Sequence, residues 1–151
     1  MVSLLATLAK RGMDPRPRVE QVVPQLQARV CGQVGQARLD VIIHDAARRM
    51  LVDVTVVSPN AGDASFVNAC SRRDGYAARR AAVAKRRKYD DPDLLPFAIE
   101  TGGRLGADAR SLLSAMAARA ENPTKELSYL YRAVSSLLQD GVARQLEKVT
   151  G

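Results

Sequence analysis

Between Leu39 and Val57 the chain reads as two apolar runs, Leu39-Asp40-Val41-Ile42-Ile43 and Met50-Leu51-Val52-Asp53-Val54-Thr55-Val56-Val57, separated by the polar stretch His44-Asp45-Ala46-Ala47-Arg48-Arg49. Val, Ile and Thr dominate both runs, and β-branched side chains favour strands, so the pattern predicts a hairpin of two buried strands with its turn over 44–49. Side chains alternate along a strand, which puts Asp53 and Thr55 on one face and leaves the second strand otherwise apolar on both. Upstream, Val2-Ser3-Leu4-Leu5-Ala6-Thr7-Leu8-Ala9 predicts a helix that Asp14-Pro15-Arg16-Pro17 breaks. Val19-Glu20-Gln21-Val22-Val23 then alternates as a first strand.

Downstream, Pro96-Phe97-Ala98-Ile99-Glu100-Thr101 predicts a further strand, and Gly102-Gly103-Arg104-Leu105-Gly106 turns it into a helix beginning near Ala107. Glycines there can bring a phosphate to backbone N–H groups, but the string lacks the spacing of a P-loop or dinucleotide fingerprint and reads better as a plain tight turn. Asn122-Pro123 marks a last helix, with an N-cap followed by Pro at the first position. Its apolar stripe, Leu127, Leu130, Tyr131, Val134, Leu137 and Leu138, is interrupted by Gly141 and resumes at Val142 and Leu146. Such a stripe either covers one side of the core or mediates a homodimer.

Arg72 to Tyr89 reads as one helix with no Pro and several alanines. Winding it at about 100° per residue places Ala78, Ala82, Lys85 and Tyr89 on one small-residue face, with Ala81 and Lys88 beside them. Arg72, Arg79 and Arg86 fall in one row on the opposite face, and Arg73, Arg80 and Arg87 in the next. The alanine face can approach a sheet closely while the arginines stay in water. Lys85 on the inward face requires an anionic partner. The whole is an α/β chain: a helix, a mixed three- or four-stranded sheet, the lysine-bearing helix packed on it, and two C-terminal helices. Residues 1–121 form its core and 122–151 a helical appendage.

Asp40 and Asp53, with twelve residues between them, supply the candidate chemistry. Hairpin pairing sets the two side by side, and neighbouring carboxylates do not both ionise cheaply without a cation between them. A divalent metal held by hard oxygen ligands resolves the conflict, and structural edge charges are the alternative. Glu20 either joins that metal shell or is an edge charge of its own strand.

Charge adds a partner. The chain carries a net charge of +7 and a pI of about 9.9, and eight Lys or Arg against one Asp lie between Arg72 and Lys88. The stripe can neutralise phosphates along DNA in a salt-sensitive, sequence-independent way, or be a solvated face. With no Trp, two Phe and four Tyr, base stacking on an aromatic platform is not the main binding mode. Cys31 and Cys70 have no metal-ligand spacing and read as reduced thiols in an intracellular protein, which sets a zinc site aside. His44 falls in the turn and is the sole histidine; because it is alone, histidine-based nuclease and Ser-His-Asp chemistry are excluded as main mechanisms. No stretch reaches the length of a membrane span.

The ordered set Asp40, Asp53-x-Thr55 and Lys85-Arg86-Arg87-Lys88-Tyr89 resembles the restriction-endonuclease-like PD-(D/E)XK superfamily. The resemblance is closest to the nuclease domain of non-LTR retrotransposon reverse transcriptases, and it covers about residues 38 to 106. Leu39 stands where that superfamily usually has Pro, and Thr55 where it has Lys. The resemblance implies a core of helix, three strands, helix and strand, and a catalytic lysine moved from strand to helix. It further implies an endonuclease dependent on Mg2+ (or Mn2+), with Asp40, Asp53 and the Val54 carbonyl as metal ligands and Lys85, Lys88 and Tyr89 at the site. In such a protein the DNA is cut so that a reverse transcriptase can prime on it, and the abrupt start of the chain suggests a piece of a larger, nuclear polyprotein. A binding module of the same fold with decayed chemistry is the alternative.

Overall fold

A computed structural model of the chain describes all residues except 14–15, 31–32, 46–47 and 151; the side chains of 11–12, 20–38, 142 and 145–150 also lie outside the description. The elements run α1 (Val2–Gly12), β1 (Arg18–Val30), β2 (Gln33–Asp45), β3 (Arg48–Val57), α2 (Ala64–Arg72), α3 (Tyr76–Tyr89), β4 (Leu94–Glu100), α4 (Ala107–Ala117) and α5 (Pro123–Thr150). The architecture is mixed α/β, an open four-stranded sheet in the order β1-β2-β3-β4 with five helices among the described residues. Pairing is antiparallel from β1 to β3 and parallel between β3 and β4. The parallel step requires a crossover, and α2 and α3 provide it.

Alternation sorts the sheet's two faces. Val41, Ile43, Met50, Val52, Phe97 and Ile99 pack with Leu5, Leu8 and Ala9 of α1, and with α4 and α5, into the main core. The opposite face is narrower. There Ala78 and Ala82 of α3 meet Ala98 of β4, the close approach that alanines permit. Leu130, Val134 and Leu138 of α5 are buried in the main core, whereas Leu137 of the expected stripe is 37% exposed. Val142 and Leu146 lie outside the described side chains. Asn122 caps α5 as expected, its Oδ1 accepting from the Lys125 N–H at 3.0 Å.

Three local expectations are corrected. The single helix over 72–89 is two helices, because Gly75 at φ +66° adopts the left-handed conformation that Gly reaches freely; α2 ends at Arg72, and α3 starts after Gly75. His44 lies in β2 opposite Arg49, not in a turn, since the strands pair out to Asp45↔Arg48. The first strand runs on to Val30 through Pro24, which cannot donate a ladder hydrogen bond. The register slips between Val23 and Gln27 around that proline, and β1 is an edge strand, where proline is tolerated. The helix break assigned to Asp14-Pro15 lies outside the described residues. Among the described residues no helix is long and apolar enough to cross a membrane.

The start of α3 is tied to β4 by an interaction between distant residues. Buried Glu100 accepts from the Ala78 N–H at 3.1 Å, serving the helix's first turn with a strand carboxylate. Glu100→Ala leaves that buried N–H unmet and should lower stability by about 1–2 kcal/mol, read as a lower urea midpoint at unchanged slope. Glu100→Gln keeps an acceptor and should lose less.

Candidate active site

The β2–β3 ladder ends at Val41↔Val52, and the next residues in register are Asp40 and Asp53. The Leu51 N–H bonds toward β4, to the Asp93 carbonyl. Alternation therefore directs the Val54 N–H toward β2, where the ladder would continue. That N–H donates instead to Asp40 Oδ2 at 2.6 Å. The Asp40 side chain thus replaces a backbone acceptor, and the two strands part: β3 continues with β4 to Val57↔Glu100, and β2 continues with β1 to Gln33. The carboxylate pair stands in the resulting fork.

From the other side α3 brings Lys85, whose Nζ lies 2.8 Å from Asp53 Oδ2. Asp53 is buried and Lys85 a quarter exposed, so the ion pair is anchored inside and open to solvent at the lysine. The contact is ionic without hydrogen-bond geometry, leaving Asp53 Oδ2 a buried acceptor with no directed donor. Thr55 Oγ1, on the same strand face, is likewise buried and unpartnered. Burial pushes the Asp40 carboxyl up from its ordinary value of 3.8; the Val54 N–H opposes this, and the adjacent Asp53 raises it further as a charge and as a hydrogen-bond partner. Lys85 pulls weakly the other way.

Asp40, Asp53 and Lys85 are therefore brought together. Lys88 is set apart, its ammonium 4.7 Å from the centre of the Tyr89 ring. Tyr89 is buried in an apolar cluster with Leu39, Ile42, Leu51 and Leu94, one strand step from the carboxylates, so its ring is core material rather than part of the polar trio. For Val54 the observed contact to the acidic pair is its N–H, not its carbonyl. The pairs Val19↔Val41 and Gln21↔Leu39 place Glu20 across from Asp40 in the ladder, and its side chain lies outside the described residues.

The arginine face is exposed, as its helical spacing predicts, but it is not one uniform stripe. Arg72 ends α2 and Arg73 precedes α3, so neither extends the α3 rows. Arg73 and Arg79 stack on Tyr76, and Arg80 on Phe66, which holds their guanidinium groups in place. Arg86 pairs with Asp108 at 2.6 Å, and Arg87 is solvent-exposed. Cys70 is a half-buried free thiol on α2, and Cys31 lies outside the described residues.

Two close carboxylates, with Thr55 Oγ1 buried and unpartnered on the same strand face as Asp53, make an oxygen-rich set of the kind that could hold Mg2+ or Mn2+. No group of three His, Cys, Asp or Glu converges among the described residues; Mg2+ commonly takes one or two carboxylates and keeps most of its waters. Sequence reasoning missed Glu100 and the Asp40 to Val54 contact, since only the fold brings those residues together. Compared with family models, curated proteins and solved structures, the chain has no match.

The raised Asp40 value has a definite sign. Ionising a carboxyl that the fold makes a weaker acid costs stability, so its contribution is complete below about 3.8 and is lost as pH rises through the higher folded value. In metal-free buffer, Asp40→Asn should gain on the wild type in denaturation midpoint as pH rises from about 4 to about 7. A constant difference across that range would show that Asp40 is not destabilised by ionisation.

Proposed function

We propose that this chain is a Mg2+-dependent DNA endonuclease with a restriction-endonuclease-like core, cutting target DNA for reverse transcription within a retrotransposon polyprotein. The observation that carries the reading is the convergence of Asp40, Asp53 and Lys85 at the fork, with Lys85 2.8 Å from Asp53. The element order, with three strands followed by the lysine-bearing helix and a parallel strand, agrees with it.

In this reading Asp40 and Asp53 hold the metal, whose contribution when bound is Lewis-acid neutralisation of charge at the scissile phosphate. The Val54 N–H fixes Asp40 Oδ2 and so orients the carboxylate that would help hold the ion. Lys85, with Nζ beside the pair, would offer a hydrogen bond to a phosphate oxygen as charge builds there. Exposed Arg79, Arg80 and Arg87, and Arg72 and Arg73 at the α2–α3 junction, draw the phosphodiester backbone toward the fork.

One observation favours a second reading. The Lys85 ammonium already compensates Asp53, so the site tolerates its charge without a metal, as a nucleic-acid-binding module with lost chemistry would. Plasmid nicking separates the two. The nuclease nicks with Mg2+ or Mn2+ and loses this with Asp40→Ala or Asp53→Ala; the module binds DNA and never nicks.

Lys85→Ala should lower turnover about 10²–10³-fold with DNA affinity nearly kept, whereas Lys88→Ala should cost binding at least as much as turnover. Changing Arg79, Arg80, Arg86 and Arg87 together to Gln should weaken binding to every sequence alike. The slope of log affinity against log salt should flatten by up to about 0.9 per lost contact, with Arg86 contributing least because Asp108 already neutralises it. An unchanged slope would mean that the arginine face does not touch phosphate.

A further inference from the structure

Away from the fork, a cavity of about 300 Å³ opens between α3 and the start of α4. Arg79 and Arg86 reach it from α3, Arg104 from the β4–α4 loop and Arg110 from α4. Gly75 and Gly106, the N-cap residues of α3 and α4, line it too, so the positive ends of two helix dipoles meet there. The first turn of α3 is served by Glu100, but α4 has no side-chain cap, and the Ala107 and Asp108 N–H groups make no hydrogen bond among the described residues. Two carboxylates share the cavity: Asp74 pairs with Arg104, and Asp108 with Arg86. Four guanidinium groups against two carboxylates leave a net charge of +2 before the helix dipoles are added.

Among the described residues Arg79, stacked on Tyr76, and Arg110 have no carboxylate partner, and Arg110 is turned back onto the Leu105 carbonyl at 3.3 Å. At Gly106 the approach is close: a Cβ there would stand 3.3 Å from the Ala98 carbonyl oxygen and 3.7 Å from Ala78 Cβ, so glycine lets the start of α4 pack against β4 and α3 beside the cavity. On α3, Arg86 follows Lys85 directly and is turned about 100° from it around the helix axis. The cavity is therefore a separate site on the flank of the same helix.

We propose that this cavity binds a phosphate group, with Arg79, Arg104 and Arg110 as charged donors and the open N–H groups of α4 as neutral ones. The phosphate belongs either to a nucleic-acid strand, in which case the pocket fixes one backbone position relative to the fork and rests on the DNA reading above, or to a free phosphate or nucleotide. The chemistry is common to both: a tetrahedral anion met by guanidinium forks and a helix N-terminus.

Titrating the metal-free full chain with inorganic phosphate, and following the amide signals of Gly75, Gly106 and Ala107 by NMR, tests the pocket without reference to cleavage. Saturable shifts are expected. Arg110→Gln should weaken binding about tenfold, the loss of one charged hydrogen bond. Asp108→Asn removes a competing carboxylate and should tighten it, a gain that misfolding cannot imitate. Arg132→Gln, on α5 outside the cavity, should leave it unchanged. Absent or unsaturable shifts, no gain with Asp108→Asn, or equal weakening by Arg110→Gln and Arg132→Gln would overturn the proposal. A short oligonucleotide that displaces phosphate from these amides identifies a strand as the source; one that binds while leaving them unmoved identifies a free phosphate or nucleotide. Nicking without phosphate shifts would sink the pocket alone, and phosphate shifts without nicking would sink the nuclease alone.

Discussion

The hydrogen bond from the Val54 N–H to Asp40 Oδ2, at 2.6 Å, is the contact on which the rest of the site depends. A backbone donor in a buried sheet must find an acceptor, and the ladder normally supplies one. Here a side chain takes the position, so one interaction both ends the β2–β3 pairing and orients a carboxylate. The same bond holds Asp40 Oδ2 at the point where the β2–β3 ladder stops. The electrostatic strain at the pair follows from the same placement, because register sets Asp40 across from Asp53 at the point where the sheet is still buried.

Helix α3 is placed by equally specific means. Gly75 frees its start from α2, Glu100 anchors its first turn to the end of β4, and Ala78 and Ala82 bring its axis close to Ala98. With one end fixed and one face flat, rotation about the axis is restricted, and Lys85 is delivered to Asp53. The arginines one step around the helix cannot reach the sheet for the same reason, and remain outside.

Much of this was legible along the chain. The β-branched runs gave β2 and β3 their cores, and a spacing that pairs Asp40 with Asp53 follows from a tight hairpin. The alanine face of α3 identified Lys85, since period-3.6 patterning is a local property. What escaped was non-local or conformational. The Asp74-Gly75 break hides in an otherwise good helical stretch, because φ is not written in hydrophobicity. The length of β1 was obscured by Pro24, a strand breaker except at an edge, and nothing local marks β1 as an edge. The buried Tyr89 looked like a site residue through its neighbours in sequence, whereas its ring is claimed by Leu39, Ile42, Leu51 and Leu94.

The fork also divides the placement of the two acids. Beyond Asp40 the β1–β2 pair meets no third strand among the described residues, while Asp53 is held in the β3–β4 pair beneath α3. Asp40 therefore takes its position from the β1–β2 register and Asp53 from the β3–β4 register, with the bond from the Val54 N–H to Asp40 as the link between them. The spacing of the two carboxylates is thus a property of two strand pairings at once, and not of either one alone.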